Sequence, residues 1–146
     1  MLHCIIKPTT IAVEKKQNSK IHKKYSIADS QQSFLKIFKE PSDVQEFFAN
    51  NKEHTQPFVF AFGESIYDIE KAEFYVYCDN IKYKFNNFLR AFESCFKLYH
   101  IFNLTYPKES FNFWTFVQVF FFNINLKCDK KNATVKTTIS MLNRNI

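Results

Sequence analysis

Phe74-Tyr75-Val76-Tyr77-Cys78-Asp79-Asn80-Ile81-Lys82-Tyr83-Lys84-Phe85 is the stretch that decides the fold of this chain. Two runs of β-favouring residues flank a two-residue Asp-Asn link. Such a link predicts a tight hairpin, because Asp and Asn tolerate the positive φ that the turn demands. In the second arm Lys82 and Lys84 alternate with Ile81, Tyr83 and Phe85. That alternation predicts a half-exposed strand whose lysines blunt an open face or edge. Upstream, Pro57-Phe58-Val59-Phe60-Ala61-Phe62-Gly63 is apolar on both faces, which suits an inner strand ended by Gly63. The acidic stretch Glu64 to Lys71 reads as the connecting loop.

Beyond the hairpin the period changes from 2 to 3.6. Phe88, Leu89, Phe92, Cys95, Phe96, Tyr99 and Phe102 fall on one arc of a helix, opposite Asn87, Arg90, Glu93, Ser94 and Lys97. Asn103 is expected to end it. Pro107 suits the first turn of a second helix, where its missing N–H has no intrahelical partner to lose. Glu109 favours the same end. This helix is predicted to run to about Asn123, carrying Phe111, Trp114, Val117, Phe120, Phe121 and Ile124. Thr115, Val117 and Val119 keep a strand open as the alternative. Before the sheet, Phe34, Leu35 and Phe38 predict a short helix over Ser33 to Lys39. Pro41 interrupts it, and Ser42 is expected to cap another short helix, Asp43 to Asn50. The predicted class is α+β: a small antiparallel sheet packed against two aromatic-rich helices, with short helices before the sheet.

The chain has 146 residues, of which 19 are Phe and one, Gly63, is Gly. Eleven of the phenylalanines lie between Phe85 and Phe122. Each ring taken out of water contributes roughly 1.5–3 kcal/mol, so this region is expected to form a dry interior held by Phe92, Phe96, Trp114 and Phe120. With one glycine there is no phosphate-cradling loop, which excludes most nucleotide chemistry. The formal net charge is +6. Lysines crowd both ends while the middle is acidic. Residues 1–30 show no sustained periodicity and predict a loose basic arm, 31–126 a globular aromatic-cored domain, and 127–146 a basic tail with at most a short docked turn near Ile139 to Leu142. The apolar run Phe111 to Leu126 is too short, and too often interrupted by Asn112, Gln118, Asn123 and Asn125, to predict a membrane span.

Reactive residues are scattered. Cys4, Cys78, Cys95 and Cys128 form no close pair, and adjacent His3-Cys4 has poor spacing for zinc. Met1 to Pro8 lacks the apolar core of a secretory signal, so free thiols in an intracellular, reducing compartment are expected. Cys95 and His100, five residues apart on one helix, point about 140° away from each other and cannot pair there. Glu64, Asp68, Glu70 and Glu73 cluster before the hairpin and read as a solvated acidic loop. No catalytic, cofactor-binding or metal-binding residue is predicted, and the expectation is that the chain is not an enzyme.

Phe92, Cys95-Phe96-Lys97, Phe102-Asn103-Leu104, Tyr106-Pro107, Glu109, Trp114-Thr115-Phe116, Gln118 and Phe121-Phe122 resemble an uncharacterised module repeated in predicted proteins of animal genomes, some of them apparently derived from mobile elements. With Pro57 to Gly63 and the hairpin ending at Phe85, the likeness covers roughly Ser33 to Ile124. It supplies no catalytic residue, since the matching positions are apolar anchors and a proline turn. It implies a free-standing or truncated copy of a domain usually attached to something else. Trp114 through Phe122 offers more apolar surface than one helix face needs, which points to an interface. A non-enzymatic interaction or assembly module, with a protein partner or self-association, is therefore expected. The alternative is a nucleic-acid-associated protein that uses its basic ends, Lys15, Lys16, Lys20, Lys23, Lys24, Lys130 and Lys131.

Overall fold

The computed structural model describes residues 6–9, 11–16, 19–51, 56–64, 72–126 and 132–144, with 11–16 and 19–23 described by their backbone. The elements, in chain order, are β1 (Ile11–Lys16), β2 (Ser19–Lys24), α1 (Ile27–Phe34), β3 (Leu35–Phe38), α2 (Pro41–Asn50), β4 (Phe58–Phe62), β5 (Phe74–Cys78), β6 (Ile81–Phe85), α3 (Phe88–Ile101), α4 (Phe111–Phe116) and α5 (Ala133–Asn143). The class is α+β. The chain divides into two compact units, Gln32–Thr105 and Met1–Gln31 with Tyr106–Ile146. Both division points fall within or beside the 31–126 span predicted as one domain. Phe92 and Phe96 belong to the first unit, Trp114 and Phe120 to the second.

In the Gln32–Thr105 unit, a four-stranded sheet runs in the order β3-β4-β5-β6. It is mixed rather than wholly antiparallel, because β3 and β4 are parallel and α2 connects them. The helix expected over Ser33–Lys39 is instead the end of α1 followed by β3. Three- and four-residue spacing of Phe34, Leu35 and Phe38 suits a helix, but parallel pairing with the apolar β4 gives one edge of the β3 backbone its partners and sets Leu35 and Ile37 opposite Val59 and Ala61. The next helix starts at Pro41, not after Ser42. Its cap is Glu40, whose backbone N–H donates to the Asp43 carboxylate (3.0 Å), as does that of Lys39 (3.1 Å).

The sheet has two different faces. Val44 of α2 is buried with Phe58, Phe60 and Tyr77. Phe47 meets Phe58 edge-on at 5.7 Å and Phe48 stacks on Tyr77 at 4.2 Å. The opposite face carries the smaller Val59, Ala61, Val76 and Cys78, and α3 covers it with Ala91, Cys95, Phe96 and Tyr99. The Tyr99 hydroxyl donates to the Pro57 carbonyl across 2.7 Å, fastening α3 to the start of β4. Asn87 caps α3 through its side chain, which accepts from Leu89 and Arg90. Leu89 and Phe102, expected on the buried arc, are 70% and 57% exposed. The buried stripe is rotated away from them onto Ala91, whose small side chain permits close approach to the sheet.

In the other unit, β1 and β2 form an antiparallel hairpin where the sequence suggests a loose arm. Ser26 opens α1 with a capping arrangement: its hydroxyl and N–H donate to Asp29 (2.8 and 2.7 Å), and the Asp29 N–H returns a bond to the hydroxyl (3.0 Å). The segment after Pro107 is helical, not strand, but in three pieces. A 3-10 turn at Lys108–Ser110 leads into α4, and a π-helical turn follows at Val117–Phe121. Asn123, at φ 52°, ends the run in the left-handed region. Residues 112–118 are buried all round, and Trp114 stacks with Tyr106 at 5.9 Å. The polar side chains of Asn112 and Gln118 in this run are satisfied. Asn112 donates to the Lys7 carbonyl (2.8 Å) and accepts from Asn132. Gln118 accepts from the Tyr106 hydroxyl (2.9 Å) and donates to the Ile124 carbonyl (3.2 Å). The tail carries a full helix, α5, rather than a short turn. Asn132 caps it, and Val135 and Thr138 are its buried residues. No helix among the described residues is long and apolar enough to cross a membrane.

Candidate interaction edge

The β5–β6 hairpin turns through Asp79 (φ 48°) and Asn80 (φ 63°), the two positive angles of a primed turn. The Tyr77 hydroxyl donates to the Asn80 side chain at 3.0 Å and braces the turn from below. β6 pairs with β5 on one side and, among the described residues, ends the sheet on the other. The alternation in its sequence predicts one wet face, yet both faces are open. Ile81 is 52% and Tyr83 44% exposed on the α3 side, and Lys82 and Lys84 are exposed on the α2 side. α3 lies mainly over β5 and reaches β4 and β6 alike, yet Ile81 and Tyr83 stay exposed at the margin of the sheet. The outward backbone N–H and C=O groups of a sheet edge are a template for pairing, and exposed apolar side chains beside them favour it.

Electrostatics define the α2 side of this edge. The Lys82 ammonium rests over the Phe48 ring, 5.3 Å from its centroid. Lys84 pairs with Glu73, which also accepts from the Tyr75 hydroxyl at 2.8 Å. The Lys84 hydrogen bond, and after it that of Tyr75, holds the Glu73 carboxyl below its ordinary value. The same carboxylate pushes Tyr75 and Lys84 up. Of the predicted acidic cluster, Glu64 pairs with Lys39 at 3.3 Å, while Asp68 and Glu70 lie outside the described residues. The described carboxylates of that cluster are thus in exposed ion pairs.

The other residues singled out in the sequence sit elsewhere. Cys78 and Cys95 are free and buried. Burial pushes both thiols up, Cys95 far more, so both stay protonated at neutral pH. His100 lies against Phe96, with ring centroids 4.5 Å apart. Among the described residues no group of three or more His, Cys, Asp or Glu could hold a metal ion. Lys15, Lys16, Lys20, Lys23 and Lys24 fall on the β1–β2 hairpin, whose register sets Lys15 opposite Lys20 and Lys16 opposite Ser19. Lys24 is exposed, and Lys130 and Lys131 lie outside the described residues. Of the surplus apolar surface expected between Trp114 and Phe122, Trp114, Phe116 and Val117 are buried and Phe121 is 60% exposed. The lysine alternation marks β6 as an edge, whereas nothing local in the sequence shows how far α3 would extend over it.

No family model, curated protein or solved structure matches this chain.

Proposed function

We propose that this chain is a non-enzymatic protein-interaction or assembly module that engages its partner along the β6 edge. The observation that carries the reading is the exposure of Ile81 and Tyr83 on the outermost strand of a sheet whose inner strand β4 is buried. An edge with unpaired backbone groups supplies affinity through main-chain hydrogen bonds, and its alternating side chains supply selectivity. The resemblance of Ser33 to Ile124 to a repeated, apparently mobile-element-derived module supports the view that this is a free-standing or truncated copy of a domain from a longer protein. A photo-crosslinking residue in place of Tyr83, compared with one in place of Lys97 on the wet face of α3, tests the reading. Adducts concentrated at position 83 and abolished by Lys82→Pro are expected. Equal adducts at both positions contradict it.

A second reading is favoured by one observation. The basic arm is a paired ribbon, with Lys15 and Lys20 at opposed positions. Like charges across a strand pair repel, and a phosphate between them relieves that repulsion. A two-stranded ribbon is also narrow enough for a DNA major groove. On this reading the chain binds nucleic acid through Lys15, Lys16, Lys20, Lys23 and Lys24. Replacing these five with Gln flattens the salt dependence of duplex binding, because the log–log slope falls by about 0.9 for every phosphate no longer neutralised. An unchanged slope excludes the ribbon.

A further inference from the structure

The β6 edge is chemically two-sided, which lets the partner be specified. This step rests on the interaction reading above. Across a two-residue turn Cys78 and Ile81 exchange hydrogen bonds, and the pattern recurs where Val76 faces Tyr83 and Phe74 faces Phe85. Lys82 and Lys84 therefore turn their N–H and C=O groups away from β5. Their ammonium groups stand on the α2 side, with Lys82 over Phe48 and Lys84 beside Glu73. Ile81 and Tyr83 present apolar surface on the α3 side. An added strand thus meets cations on one of its faces and an apolar strip on the other.

We propose that β6 takes an extended acidic peptide segment as a fifth strand of the sheet, with Asp or Glu side chains beside Lys82 and Lys84 and alternate apolar side chains over Ile81 and Tyr83. Lys82 carries the charge preference, because it is in no ion pair among the described residues, whereas Lys84 already has Glu73. A second copy of the chain is a poorer occupant. Pairing β6 with itself about a two-fold axis at Tyr83 sets Lys82 opposite Lys84 of the copy, and like charges directly opposite are unfavourable. A nucleic acid has no strand backbone to meet the N–H and C=O groups at Lys82 and Lys84.

The test titrates end-blocked nonapeptides into the full chain while amide exchange is followed residue by residue. One peptide alternates valine and glutamate, and another alternates valine and lysine. The glutamate peptide is expected to slow exchange at Lys82 and Lys84. Lys82→Glu weakens it about tenfold and makes the lysine peptide the better ligand. Lys82→Gln, a milder change for folding, weakens the glutamate peptide about threefold. Equal affinity for the two peptides, or protection of these amides by self-association or by duplex DNA, overturns the acidic preference and leaves β6 as a docking edge of another kind. If no peptide, copy or duplex protects Lys82 and Lys84, the interaction reading falls with it.

Discussion

β4 and β6 are five-residue strands of one sheet, and each alternates two kinds of side chain. In β4, Phe-Val-Phe-Ala-Phe, the two kinds are large and small apolar groups. The Phe rings enter the α2 face, and Val59 and Ala61 leave room for α3 on the other. In β6, Ile-Lys-Tyr-Lys-Phe, the two kinds are apolar and cationic, and no helix covers either face fully. Position in the sheet turns one pattern into core and the other into surface. β4 has both edges paired, and α2 and α3 cover its two faces, so its side chains can be wholly apolar. An outer strand keeps an unpaired edge, and lysines there discourage chance pairing while leaving a charged partner able to pair.

The largest effect that probes this contrast is on stability. Phe60→Ala in β4 should cost about 3–5 kcal/mol in urea unfolding, because it empties space under Phe38 and Tyr75 as well as removing the ring. Tyr83→Ala in β6 should cost less than about 1 kcal/mol by the same measurement. Equal losses would mean that β6 is not an edge. Next comes the turn that holds β6 in register. Asn80→Ala forces a side chain with no local polar group into the left-handed region and removes the partner of Tyr77, so a loss of about 1–2 kcal/mol is expected. Asn80→Gly should restore most of it.

The smallest effect is electrostatic. Glu73→Gln removes the carboxylate that raises Tyr75, so the tyrosine should titrate at lower pH in an ultraviolet absorbance titration. The sign for stability is the reverse of a cation's. Because the folded Glu73 carboxyl sits below its ordinary value, its contribution is present above the unfolded carboxylate range and is lost as pH falls through the folded value. Lys84 and Glu73 are both about half exposed, so solvent keeps that contribution small.

Features that depend on neighbours in sequence were readable. Asp79-Asn80 sets the hairpin, the helical period sets α3, and Phe58 to Phe62 reads as an inner strand because no polar residue interrupts it. Features that depend on distant chain were not. β3 becomes a strand through parallel pairing with β4, about twenty residues on, while its own spacing suits a helix. The rotation of α3 that exposes Leu89 follows from Ala91 touching the sheet, which no period of the helix alone reveals. The β1–β2 hairpin is hidden because lysines outnumber apolar residues there, and propensity gives a poor guide when charge dominates. Of the candidate site, Lys82 and Lys84 mark the edge in the sequence. The exposure of Ile81 and Tyr83 beside them depends on how far α3 reaches across the sheet.

Native-state amide exchange on the free chain, at a dilution where light scattering gives the monomer mass, is the most direct measurement. The N–H groups of Lys82 and Lys84 should exchange far faster than those of Val59 and Ala61, which lie within the paired interior of the sheet. Protection at Lys82 and Lys84 as strong as in β4 would show that the edge is already occupied, and the docking account would be wrong.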